Sequence, residues 1–138
     1  MSKRTRQNII LAIVLVAALV LIRLLLGTRT FIYLSSKDID HVDITVTPPG
    51  IAATSTGDDT AALVKLLGKA VTYLPTDQVP SGQSVSLTIF KHDGTQSHVV
   101  VCGDYLEVDG KGYHTRTSDG EAIAQWAVTF AESQNGIN

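Results

Sequence analysis

The chain reads as an α+β protein: an N-terminal transmembrane helix, then an antiparallel sheet of about five strands with two helices packed on one face. Three observations predict this. Residues Ile9 to Leu26 form an apolar run broken only by Arg23. Two segments, Leu63 to Leu74 and Ile123 to Phe130, repeat apolar residues at helical spacings of three and four. Between them, four short strand-like runs are joined by tight Asp-Gly or Gly-Asp turns.

Fourteen of the eighteen residues in the first run are Ile, Leu or Val. Each favours insertion by roughly 0.3 to 0.6 kcal/mol, against a cost of about 2.5 to 3.5 for an Arg at mid-helix. At about 1.5 Å per residue the run is long enough to cross a bilayer core. Arg23 sits near its C-terminal end, where the long side chain reaches the headgroups, so it marks an interface rather than an ion path. Lys3, Arg4 and Arg6 precede the run. The positive-inside bias therefore places the N-terminus in the cytoplasm and the rest outside the membrane. Charge segregation agrees. Residues 1–34 carry five basic and no acidic side chains, whereas from residue 37 on six basic face thirteen acidic ones. A cleavable signal peptide is the competing reading. The stretch Leu24 to Arg29 offers no A-x-A pattern of small residues for cleavage, and the only Cys, Cys102, lies far from the position a lipoprotein requires. The expected division is a cytoplasmic basic tip and signal anchor over 1–27 and a juxtamembrane stalk over 28–37. An extracytoplasmic domain over 38–134 and a frayed tail over 135–138 complete it.

Phe31 and Tyr33, just past the run, suit an aromatic belt or the start of the folded domain. Ser35-Ser36-Lys37-Asp38 has capping-box form, so one helical turn is expected. Val42, Ile44 and Val46 alternate with polar residues as a half-buried strand, which Pro48-Pro49-Gly50 stops. Thr56 or Asp58 can cap a helix carrying Leu63, Leu66, Leu67, Ala70 and Leu74, ended by Pro75. After a loop over 76–83, strands are expected at Val85 to Phe90, His98 to Cys102, Tyr105 to Val108 and Tyr113 to Thr115. The turns Asp93-Gly94, Gly103-Asp104 and Asp109-Gly110 make them a meander, and Gly112 suggests a bulge. Ser118 to Glu121 reads as a second capping box, opening a helix whose core anchors are Trp126 and Phe130. The resulting order is β-α-β-β-β-β-α.

On these stretches the chain resembles an uncharacterised family of small membrane-tethered exported domains from clostridia-like Gram-positive bacteria. The likeness is carried by Asp38-Ile39, Ile44 and Pro48-Pro49, Leu63 to Tyr73, Gly82-Gln83, Asp93-Gly94 and Val108 to Tyr113, and covers about residues 31 to 130. Members often carry a further Cys near the last helix; Thr117-Ser118 stands there instead, so no shared disulfide is implied. The resemblance implies a cell-envelope address and this fold, and no activity.

Candidate chemistry is sparse. Asp38, Asp40, His41 and Asp43 gather oxygen donors, but the calcium-loop spacing is missing and a solvated strand entrance is the expectation. Asp104, Glu107 and Asp109 flank turns, where Asp has a geometric role. His98, His114 and Cys102 could supply a zinc site only if neighbouring strands bring them together; a buried, packed Cys102 is the expectation. His41, His92, His98 and His114 form no H-x-x-H pair, and no nucleophile elbow, S-x-x-K or phosphate loop occurs. The acidic exported part argues against nucleic acid. No residue is therefore assigned a catalytic, cofactor-binding or metal-ligating role. The chain is expected to be a non-enzymatic, single-pass binding or assembly module of the cell envelope, with the membrane as partner through residues 9–26 and an envelope protein as a further one. The alternatives are an envelope enzyme of unrecognised type and a small-ligand or ion sensor.

Overall fold

The structure, a computed structural model, describes residues 2–136. Helix α1 spans Lys3–Leu26, followed by a single 3-10 turn at Ser36–Asp38. Then come β1 (Ile39–Thr47), β2 (Ile51–Ser55), α2 (Gly57–Lys69), β3 (Thr72–Pro75) and β4 (Ser84–Lys91). Strands β5 (Gln96–Cys102), β6 (Tyr105–Val108) and β7 (Lys111–Thr115) lead into α3 (Thr117–Gln134). The α+β class holds. The sheet has seven strands rather than five, all antiparallel, in the order β2-β1-β4-β5-β6-β7-β3.

The two additional strands are the edges. Pro48-Pro49-Gly50 does not leave the sheet; it turns the chain so that Ile51 pairs with Val46 and β2 returns along β1. Helix α2 stops at Lys69, five residues before Leu74, because Ala70 is already extended (ψ 133°). Thr72–Pro75 then pairs with β7 at the opposite edge. Pro75 is tolerated there because an edge strand has one side without ladder partners.

Alternation in β1, β4 and β5 sends Val42, Ile44, Val46, Val85, Leu87, Ile89, Val99 and Val101 into one buried cluster. Leu63 and Leu67 of α2 and Ile123, Ala127 and Ala131 of α3 cover that face, so both helices lie on one side. Apart from Ile123 the stripe of α3 that meets the sheet is made of alanines, which lets the helix sit close. Trp126 and Phe130 are displaced to its flank, half-buried and stacked with centroids 5.1 Å apart. They pack against the core from the side rather than anchoring it; Ile123, Ala127 and Ala131 take that place.

Local chemistry sets the turns. Asp109 and Gly110 both have positive φ (50° and 87°), as a two-residue type I′ hairpin demands. The Asp93 carboxylate accepts from the Thr95 amide and hydroxyl at 2.9 and 2.6 Å, closing the β4–β5 turn. Gly112 pairs in regular register with Glu107, so there is no bulge in β7. The second capping box does not form. Asp119 instead accepts from Arg116 Nε at 2.7 Å and from the Val71 amide at 3.2 Å, tying α3 to the residue before β3.

The expected stalk and the start of the expected frayed tail are both attached to the domain. Over 28–37, Phe31 is only 8% exposed and joins the core, while Tyr33 is 93% exposed. At the other end the Thr54 amide donates to Gln134 Oε1 at 3.2 Å, and Asn135 Nδ2 donates to the Ala52 carbonyl at 2.9 Å. The start of the expected frayed tail is thus bound to the outer side of β2; residues 137–138 lie outside the described residues. Replacing Gln134 and Asn135 together by Ala is expected to cost about 1 kcal/mol, on the order of one net hydrogen bond, and to make the detergent-solubilised chain aggregate faster. Light scattering at rising concentration measures the second effect.

Candidate functional site

His98, Cys102 and His114 do not come together as a set of metal ligands. His98 lies on the helix-free face of β5, its ring nitrogens 3.4 and 3.3 Å from the Ser86 and Thr88 hydroxyls. Cys102, four residues along the same strand, is about 13 Å away at strand rise. It is buried, and its thiol donates to the Pro80 carbonyl at 3.3 Å. His114 is exposed on β7, opposite Tyr105. Among the described residues no group of three His, Cys, Asp or Glu side chains is placed to hold a metal ion. Asp109 accepts from the His98 amide at 2.8 Å, so it fastens the turn to β5 as its sequence position implied. Glu107 accepts from the buried Tyr105 hydroxyl at 3.0 Å, and desolvation first, then that bond, raises the Tyr105 pKa.

The Asp38–Asp43 segment gains a member invisible in the local sequence. A register shift in β1 between Ile39 and His41 brings Asp40 against His41, whose Nδ1 donates to Oδ2 at 2.6 Å. His92, from the β4–β5 turn, stands 3.6 Å from the other oxygen, and His41 Nε2 is 4.0 Å from Asp43. The His41 ring stacks on Phe90 at 4.4 Å. These groups satisfy one another at the surface. The hydrogen bond from His41, and then the charges of His41 and His92, lower the Asp40 pKa below its ordinary 3.8. A depressed carboxyl contributes stability above the unfolded pKa and loses it as pH falls through the folded one. His41→Phe is therefore expected to raise the Asp40 pKa toward its ordinary 3.8, with His92 still holding it down, read from carboxyl chemical shifts in an acid NMR titration.

Several hydrogen bonds gather at the junction where α1 meets the domain. Helix α1 is apolar, with mean hydropathy 3.2 over its best eighteen-residue window, none of it buried. It ends at Gly27, whose φ is +73°. Thr28 then pairs with Thr72 on the outer side of β3, amide to carbonyl in both directions at 2.7 and 2.8 Å. The Thr72 hydroxyl adds a bond to the Thr28 carbonyl at 3.0 Å. Arg29 Nε donates to the Gly68 carbonyl at 2.8 Å, and Arg116 donates to the Lys69 carbonyl at 3.3 Å. Two guanidiniums thus cap the C-terminal carbonyls of α2, the end where cations are favoured. The Thr115 hydroxyl holds the Val71 carbonyl at 2.7 Å. Beside this junction runs an apolar groove of about 600 Å³ walled by Leu19, Ile22, Leu26, Ile32 and Val71, with Arg23 and Arg29 also lining it. Sequence reasoning placed Arg23 near the end of the apolar run but not beside Arg29 in one groove, because the domain-side partners Gly68 and Val71 lie some forty residues away.

No protein family, curated protein or solved structure matches the chain.

Proposed function

We propose that the chain is a single-pass membrane protein, N-terminus in the cytoplasm, whose domain stands on the outer surface as a non-enzymatic binding or assembly module of the cell envelope. One observation carries the reading: a fully exposed apolar helix of membrane-spanning length is hydrogen-bonded at its end into the rim of the sheet. A domain fixed at its tether holds a constant height and orientation above the bilayer, which suits presenting a surface to a neighbouring protein. The basic tip, the acidic domain and the resemblance to exported domains support the direction and the address.

Topology is tested with Tyr33→Cys in a Cys102→Ser background. A membrane-impermeant maleimide added to intact cells is expected to label that cysteine; labelling only after lysis would reverse the orientation. Assembly is tested by photo-crosslinkers placed at Thr45 and Ser86 on the helix-free sheet face. One discrete heterologous product is expected, and finding no product at either site would remove the assembly role for that face.

A further inference from the structure

We propose that the groove at the junction is a binding site for one anionic phospholipid, its phosphate held by Arg23 and Arg29 and an acyl chain lying along α1. The inference rests on the reading of α1 as a membrane span. Leu19, Ile22 and Leu26 recur at three and four, so they form one stripe on α1 leading toward its C-terminal end. Ile32 and Val71 supply the domain-side wall, and Ile32 is 48% exposed. In a bilayer such a stripe faces acyl chains, whereas water would leave it unfavourably solvated. Arg23 precedes Gly27 by four residues, about 6 Å along the helix, and Arg29 follows it by two. Both cations therefore sit where the apolar run gives out, at the level of lipid phosphates.

Charge fixes the kind of lipid. The groove lining holds two guanidiniums and no carboxylate. A zwitterionic headgroup would bring its own ammonium toward those cations; an anionic one brings none. Arg29 is also held in place in advance, since its Nε is spent on the Gly68 carbonyl. Among the described residues its terminal nitrogens have no hydrogen-bond partner, which leaves them for bidentate contact with phosphate oxygens. Ordering the side chain has already been met by the fold, and that lowers the cost of binding.

The full chain is reconstituted into vesicles containing equimolar phosphatidylglycerol and phosphatidylcholine, and retained lipid is read by native mass spectrometry after gentle detergent release. The wild type is expected to keep one phosphatidylglycerol with about tenfold preference over phosphatidylcholine. R23Q, which leaves the Arg29–Gly68 contact intact, is expected to lose most of that preference, and R23Q/R29Q all of it. Both variants should still float with the vesicles after carbonate washing. A wild type without headgroup preference, or variants that retain it, would overturn the lipid site while leaving the span in place. Failure of the wild type itself to float would instead overturn the span, and the lipid site with it.

Discussion

Gly120→Val is expected to abolish cooperative folding of the domain. Gly120 is buried in the first turn of α3, and a Cβ there would stand 2.1 Å from the Gly103 carbonyl oxygen and 3.3 Å from its carbon. The obstacle is backbone, part of the β5–β6 turn, so no side chain can swing aside. Relief requires lifting α3, yet Ile123, Ala127 and Ala131 are what seal the inner face of the sheet. Overpacking against movable side chains costs about 1–3 kcal/mol, and a fixed backbone raises that. A domain of roughly a hundred residues has about 5–15 kcal/mol in total. Gly120→Ala should lose on the order of 3 kcal/mol, and valine should leave no transition in urea melts followed by Trp126 fluorescence. Gly68→Ala supplies the contrast. The nearest atom to a Cβ there is the Phe31 carbonyl oxygen at 3.8 Å, an ordinary contact in the last turn of α2. That substitution is expected to be neutral or to stabilise by up to about 1 kcal/mol.

Gly27→Val should separate the helix from the domain without unfolding either. Its φ of +73° with ψ of −174° belongs to a region that only glycine occupies readily. A Cβ would also stand 2.3 Å from Val71 Cγ1 and 2.7 Å from the Thr72 carbonyl oxygen. Backbone strain of about 1–3 kcal/mol adds to that clash, and the local way out is to give up the Thr28–Thr72 pair. Apart from Phe31, the core cluster draws on residues from Ile39 onward and stays whole. Trypsin cleavage after Arg29 in reconstituted protein is expected to accelerate at least about tenfold, while the urea midpoint of the domain moves little. An unchanged cleavage rate would show that the junction does not depend on this glycine.

What was legible in the sequence had a local cause. Period two in Val42, Ile44 and Val46, the stripe of Leu63 and Leu67, and the positive φ of Asp109-Gly110 each follow from neighbours within a few residues. The two missed strands lack that signature. Ala52 and Ala53 have weak strand preference, and the preceding Pro-Pro-Gly suggests an end rather than a turn back. Thr72 to Pro75 was absorbed into α2 because Leu74 continues the helical spacing, and nothing local reveals that Thr115 and Tyr113 pair with it. The same limit hid the contacts at the two surface clusters. Asp119 lies inside the expected capping box with nothing local to mark it as a partner of Val71, and His92 meets Asp40 only because β1 and β4 are adjacent. The junction was half legible, as a boundary without its docking partner.

The sheet leaves little backbone free for another chain to read. On β2 the outward Thr54 amide and Ala52 carbonyl are taken by the amides of Gln134 and Asn135, and on β3 the rim at Thr72 is taken by Thr28. Recognition by strand addition, which trades in open ladder positions, is thereby discouraged at both margins. A surface so closed favours contacts made through side chains over edge-to-edge pairing between copies of the chain.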